Sequence, residues 1–194
     1  DTDFNAPEKI SFIGIGQKDA AASGGEKAVE AAKAAGWDKI EAAYIAGVQG
    51  DSTNTARMDG YREGITEAGG EFLDNETQYA NATADLAVTA MEGIMSKYPD
   101  GVAIICSNND DMALAAARTA KSNPNYAKTI FLGFDGQKSA CEAVAAGELT
   151  MTAAQNNFDI GYKAVETMVK ILKGEQYDKV VDTGTEIITK DTAE

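Results

Sequence analysis

The chain predicts an α/β fold, a parallel sheet flanked by helices, and three observations carry that prediction. Short β-rich or apolar runs alternate with longer helix-like stretches almost without a break. Several of the helix-like stretches stop at a glycine, as helices that end on a left-handed residue do. The 194 residues are 44% hydrophobic and 25% charged, enough to bury a core without disulfides or metals.

Taken in order, Lys9–Ile15 (KISFIGI) reads as a strand, and the Ala-rich stretch Lys18–Ala35, stopping at Gly36, as a helix. Ile40–Ala46 is the next strand, and Thr53–Ala68, closed by Gly69-Gly70, the next helix. Glu71–Gln78 is a weaker strand. In Ala82–Lys97, Leu86, Met91, Ile94 and Met95 make an apolar helix face. A Pro99-Asp100-Gly101 turn leads into VAIIC (Val102–Cys106), a continuous apolar run that suits a strand covered on both faces. Asp111–Lys121 is helical, Thr129–Phe134 extended, and Ser139–Ala146 a short helix ending at Gly147. Leu149–Ala153 is strand-like, Phe158–Leu172 is a helix ending at Gly174, and Lys179–Thr189 is a last extended segment.

Charge and residue usage narrow the function. A formal net charge of −14 repels phosphate backbones and anionic headgroups, so neither nucleic acid nor a membrane surface is an expected partner. No apolar stretch approaches the ~18 residues of a membrane span. The sequence has no histidine, which removes the commonest general base and metal ligand. Cys106 and Cys141 match no metal or redox spacing, and either two free thiols or a bridge between them fits the sequence. Gly14-Ile15-Gly16 follows a strand but lacks the third glycine of a dinucleotide fingerprint. Asp110 and Asp111, adjacent on a helix, point about 100° apart and converge poorly on a metal ion. These readings predict no cofactor, no metal and no enzyme activity.

In open parallel sheets, ligands sit at the carboxyl ends of the strands. The predicted strand Ile40–Ala46 is followed by GVQGDSTNTAR, with Arg57 in the first turns of a helix. VAIIC is followed by Asn108, Asn109, Asp110 and Asp111, and TIFLG by Phe134-Asp135-Gly136. Leu149–Ala153 is followed by Gln155, Asn156 and Asn157, and Glu71–Gln78 by Tyr79. Arg, Asn, Asp and Gln with an aromatic nearby suit a small polyhydroxylated ligand, because each sugar hydroxyl both donates and accepts. An aromatic face covers the apolar side of a sugar ring. Each residue also has a plainer reading. Asp110 or Asp111 fits a helix cap, Asp135-Gly136 a turn, Arg57 an exposed helix charge, Asn156 and Asn157 a helix start, and Tyr79 the core.

GVQGDSTNTARMDGYREGITEAG, SNNDDMALAAARTAK and GFDGQKSACEAVAAGELTMTAAQNNFDIGYKAVE together resemble the periplasmic sugar-binding proteins of the ribose and galactose/glucose type. That family is a branch of the type I periplasmic-binding-protein fold, and this chain is similar to its C-terminal lobe. The resemblance implies Arg57, Asn109, Asp135 and Gln155 as polar sugar contacts. It places Tyr79 where the family has a stacking aromatic, and Phe134 where ribose binders have one. Asp51 falls where galactose binders have a sugar-contacting His, and Asp1 or Asp3 where ribose binders have a ligand Asp. It further implies a monosaccharide ligand such as ribose, galactose or glucose, an ABC-transporter permease as membrane partner, and export to the periplasm or cell surface.

The resemblance implies a preceding N-terminal lobe of roughly a hundred residues, most of which these residues are expected not to supply. Residues 1–156 are therefore expected to form the sugar-binding C-terminal lobe. Residues 157–194 are expected to be a returning helix and extended segment that the family packs on the other lobe. Without that seat, the late helix is expected to expose an apolar face and to drive self-association. A lactose-repressor-type effector core, which resembles the same fold, is the alternative; it requires a basic helix-turn-helix ahead of the core.

Overall fold

The computed structural model describes Asp3 and residues 6–193; Asp1 lies outside them. In chain order the elements are β1 (Phe12–Gly14), α1 (Gln17–Ala34), β2 (Glu41–Ala46), α2 (Ser52–Glu67), β3 (Glu71–Tyr79), α3 (Ala84–Lys97), β4 (Ile104–Ser107) and α4 (Asp110–Ala120). After a single 3₁₀ turn at Pro124–Tyr126 come β5 (Ile130–Asp135), α5 (Lys138–Ala146), β6 (Met151–Gln155), α6 (Asn157–Lys173), β7 (Val180–Asp182) and β8 (Thr185–Ile188).

Six strands form one sheet in the order β3-β2-β4-β5-β6-β8, parallel except for β8, which runs antiparallel to β6. The strands alternate by residue. Ala42, Tyr44 and Ala46 of β2, with Ile104, Cys106, Leu132 and Phe134, face α1 and α2. Ala43, Ile45, Ile105 and Phe131 face α3, α4 and α5. Both faces are thus covered, the condition that makes strands such as β4 apolar throughout. α1 and α2 lie against each other at small residues, since a Cβ at Gly60 would run into the Lys18 carbonyl and one at Gly64 into that of Ala22.

β1 and β7 pair in parallel as a separate two-stranded sheet, and α6 packs on β1. The chain passes between the two layers after β1, after β6 and again after β7. The Gly14 carbonyl accepts from both the backbone N–H (2.8 Å) and the hydroxyl (3.1 Å) of Thr183, tying two of these crossings together. This corrects the division at residue 156. β1 belongs with the small layer, whereas β8, in the second segment, returns to the large sheet. Gly184 breaks the single extended segment predicted over 179–189; its φ of 74° turns the chain from β7 into β8.

Cys106 and Cys141 are both free. Cys106 points from β4 toward α1 and α2, while α5, which carries Cys141, packs on the opposite face of the sheet. The bridge the sequence left open does not form.

Candidate functional site

Strand geometry brings the site together. Tyr79, Asp135 and Gln155 are the last residues of β3, β5 and β6, and Asn108 and Asn109 directly follow β4. Arg57 stands in the second turn of α2, which begins just beyond the end of β2. Asp51 starts that helix by accepting the Asn54 N–H at 2.7 Å.

The Arg57 side chain is nearly buried and its donors fan out. Nε donates to Gln17 Oε1 at 2.8 Å, Nη1 to the Asn108 carbonyl at 2.6 Å, and Nη2 lies 3.2 Å from Asp135 Oδ1. The guanidinium lies over the Phe134 ring, 3.7 Å from its centroid. Gln155 Nε2 donates to the same Asp135 Oδ1 at 2.8 Å. A continuous polar chain, Gln17–Arg57–Asp135–Gln155, therefore crosses the carboxyl end of the sheet. Burial pushes the Asp135 carboxyl up from its ordinary value, while the Arg57 charge and the hydrogen bonds from Gln155 and Arg57 pull it back. Asp135 adopts φ 116°, a conformation that side-chain-bearing residues rarely adopt.

The chain of contacts links two recesses. One, of about 480 Å³, is lined by Asp3, Phe12, Gln17, Ser52, Thr53 and Asp182 among others. The other, of about 440 Å³, is lined by Gln155, Asn156 and Thr183–Glu186. Between them a carboxylate acceptor, a guanidinium donor and a side-chain amide lie in mutual contact, group types that can hydrogen-bond hydroxyls.

The sequence-derived set divides accordingly. Arg57, Asp135 and Gln155 converge. Asp3 lines the first recess and pairs with Lys9 at 2.9 Å. Tyr79 is half exposed at the end of an outer strand, beside Ala46, so the core reading of it does not hold. Phe134 is fully buried with the Arg57 guanidinium over its ring, and so supports Arg57 from below. Asn109 is turned to local use. Its Oδ1 caps α4 by accepting the Met112 N–H at 3.0 Å, and its Nδ2 donates to the Ala82 carbonyl at 3.2 Å. That cap displaces Asp110 and Asp111 from the role the plainer reading gave them. Asp51 is likewise occupied as a cap. Asn156 caps α6 through the Asp159 N–H, as the plainer reading of it required. Gln17 and the Asn108 carbonyl were missed. Gln17 follows β1, so extending the strand-end rule to that strand identifies it; a backbone carbonyl leaves no trace in a sequence.

The periplasmic binding protein domain matches this chain over residues 1–176. The chain belongs to that family. This periplasmic binding protein domain is 30% identical to the ribose import binding protein RbsB of Haemophilus influenzae over 153 residues, which cover 79% of this chain and 51% of that protein. Among solved structures, the periplasmic ribose ABC transporter protein of Conexibacter woesei superposes with a TM-score of 0.81 at 29% identity, covering 97% of this chain and 62% of that one. A periplasmic solute binding protein of Actinobacillus succinogenes, solved with bound D-allose, shares the fold with a TM-score of 0.88 at 20% identity, over 100% of this chain and 68% of that one. The chain spans about half the length of the curated relatives it matches.

Proposed function

We propose that this periplasmic binding protein domain binds a monosaccharide as the solute-binding component of a sugar uptake system. It works in the periplasm or at the cell surface and delivers its ligand to the permease of an ABC transporter. The observation that carries this reading is the Arg57–Asp135–Gln155 cluster, three side chains from three elements in direct contact where parallel strands end. The relatives' names, ribose import above all, favour a pentose or hexose. The cluster binds and orients and carries out no reaction. Its carboxylate is held between a guanidinium and an amide, in place to accept hydroxyl protons through hydrogen bonds.

On this reading the described chain supplies one wall of the grip. The site lies open at the sheet end, so the chain alone holds sugar weakly, with part of the contacts and most of the desolvation absent. The apolar outer face of α6 belongs to the same picture. Phe158, Tyr162, Val165, Met168 and Leu172 are all exposed, and of this helix only Thr167 is buried. In the chain by itself, two such faces cover each other and the chain self-associates.

A ligand that binds the native state raises the unfolding midpoint by mass action. Thermal unfolding in millimolar D-ribose, D-allose, D-galactose or D-glucose is expected to show such a rise for at least one sugar, and Arg57→Met to abolish it. No rise with any of them, or an equal rise in the variant, removes the support for the reading.

A further inference from the structure

Behind the site lies a buried carboxylate that touches none of the surfaces described above. Asp110, the first residue of α4, is fully buried, yet its hydrogen-bond partners lie on other elements. Oδ1 accepts from Thr152 Oγ1 of β6 at 2.6 Å, and Oδ2 accepts from the Gln137 backbone N–H at 2.7 Å. Thr152 Oγ1 in turn accepts from the Gly136 N–H at 3.3 Å. One carboxylate and one hydroxyl thus hold two successive amides of the turn that leaves β5.

That turn is where Asp135 sits at φ 116°, followed by Gly136 at 71°. A non-glycine residue in this region persists only where its surroundings over-determine it. The surroundings here are built closely. A Cβ at Gly133 would collide with Asp110 Oδ1, and one at Gly136 with the Ala154 side chain. The Gly133-Phe134-Asp135-Gly136 segment is therefore shaped around Asp110 on one side and β6 on the other. A helix-start acid facing solvent would need none of this.

We propose that Asp110 is a positioning residue for ligand capture: through the Gln137 N–H and Thr152 it fixes the strained Asp135–Gln137 turn and so aims the Asp135 carboxylate. It acts from inside the protein and never meets the ligand. The ligand readout rests on the sugar-binding reading, whereas the structural readout does not.

The test uses the whole chain, with D-ribose as probe, and the variants Asp110→Ala, Asp110→Asn and Thr152→Val. Residue-resolved amide exchange reads the turn, and titration with D-ribose reads the site. In Asp110→Ala, exchange at Gly136 and Gln137 is expected to accelerate and ribose affinity to fall about tenfold, as for the loss of buried hydrogen bonds. Asn keeps one acceptor for Gln137 and a donor toward Thr152, so Asp110→Asn restores affinity to within about threefold of the parent. Thr152→Val keeps the shape of β6 and removes only the hydroxyl, so it weakens binding and loosens Gly136 even if Asp110→Ala does not fold. Unchanged exchange at Gly136 and Gln137 in the folded variants overturns the proposal, as does Asp110→Asn binding as poorly as Asp110→Ala. If the parent chain binds no sugar, the functional reading fails, and amide exchange alone still decides whether Asp110 holds the turn.

Discussion

Arg57 gathers Gln17 of α1, the carbonyl of Asn108 just after β4 and Asp135 of β5, with Phe134 beneath it. Replacing it with Met leaves the largely buried Asp135 without its counter-charge, and urea unfolding is expected to show a loss of about 2 kcal/mol, modest for a buried pair because Asp135 keeps some solvent contact. The same variant raises the Asp135 titration midpoint, since Arg57 is the leading influence pulling it down; carboxyl-carbon NMR against pH checks the direction. Asp110 gives a second prediction. Burial first, with a smaller contribution from Asp135, raises its carboxyl from 3.8 to about 7 against the hydrogen bonds from Thr152, Gln137 and Gly136. The titratable groups facing it are Asp135 from β5, Tyr61 from α2 and Cys141 from α5. Between those two pH values the folded state holds a proton that the unfolded chain has lost, so this group's contribution to stability falls as pH rises from about 4 to about 7. Asp110→Asn has no such proton. The stability of the parent relative to the variant is therefore expected to be highest at acid pH and to decline toward neutrality. At this scale the sequence reveals side chains by position, and Arg57, Asp135 and Gln155 were found that way. It does not show how a side chain is turned, so the capping bonds of Asn109 and Asp51 and the packing of Phe134 under Arg57 emerge only from the structure.

The α1–α2 contact depends on missing side chains. At Gly60 or Gly64 an Ala methyl would meet backbone carbonyls, which cannot swing aside as a flexible side chain can. Each substitution is expected to cost about 1–3 kcal/mol by overpacking, despite the better helix propensity of alanine; denaturant unfolding of the single variants measures it. α6 presents the opposite case, an apolar face with little against it. The chain is expected to sediment as a concentration-dependent oligomer, and Tyr162→Lys with Leu172→Lys to return it to monomer without lowering its unfolding midpoint. A clean monomer with α6 protected from exchange contradicts the self-association. Elements were legible to within a few residues, because alternating apolar runs and Gly36, Gly147 and Gly174 mark their limits. The separation of β1 from the main sheet and the reversal of β8 were not. Pairing partners are set by contacts distant in sequence, Gly14 with Asp182 and Gln155 with Thr185, and no local pattern encodes them.

The molecule as a whole is a large α/β layer carrying the polar cluster and a small layer of β1, β7 and α6, joined by three passes of the chain. The acidic surface, at −14, disfavours anionic ligands and suits neutral ones such as sugars. Sugar binding by Arg57, Asp135 and Gln155 as one cluster is the proposal on which the rest depends. The most direct measurement is a residue-resolved NMR titration of the chain with D-ribose and D-allose, following the Arg57 Nε–H and the Gln155 side-chain amide. Saturable shifts are expected at those two groups and at the Asp135–Gln137 amides, in fast exchange at millimolar sugar. Shifts confined to another face of the molecule, or none at saturating sugar, contradict it.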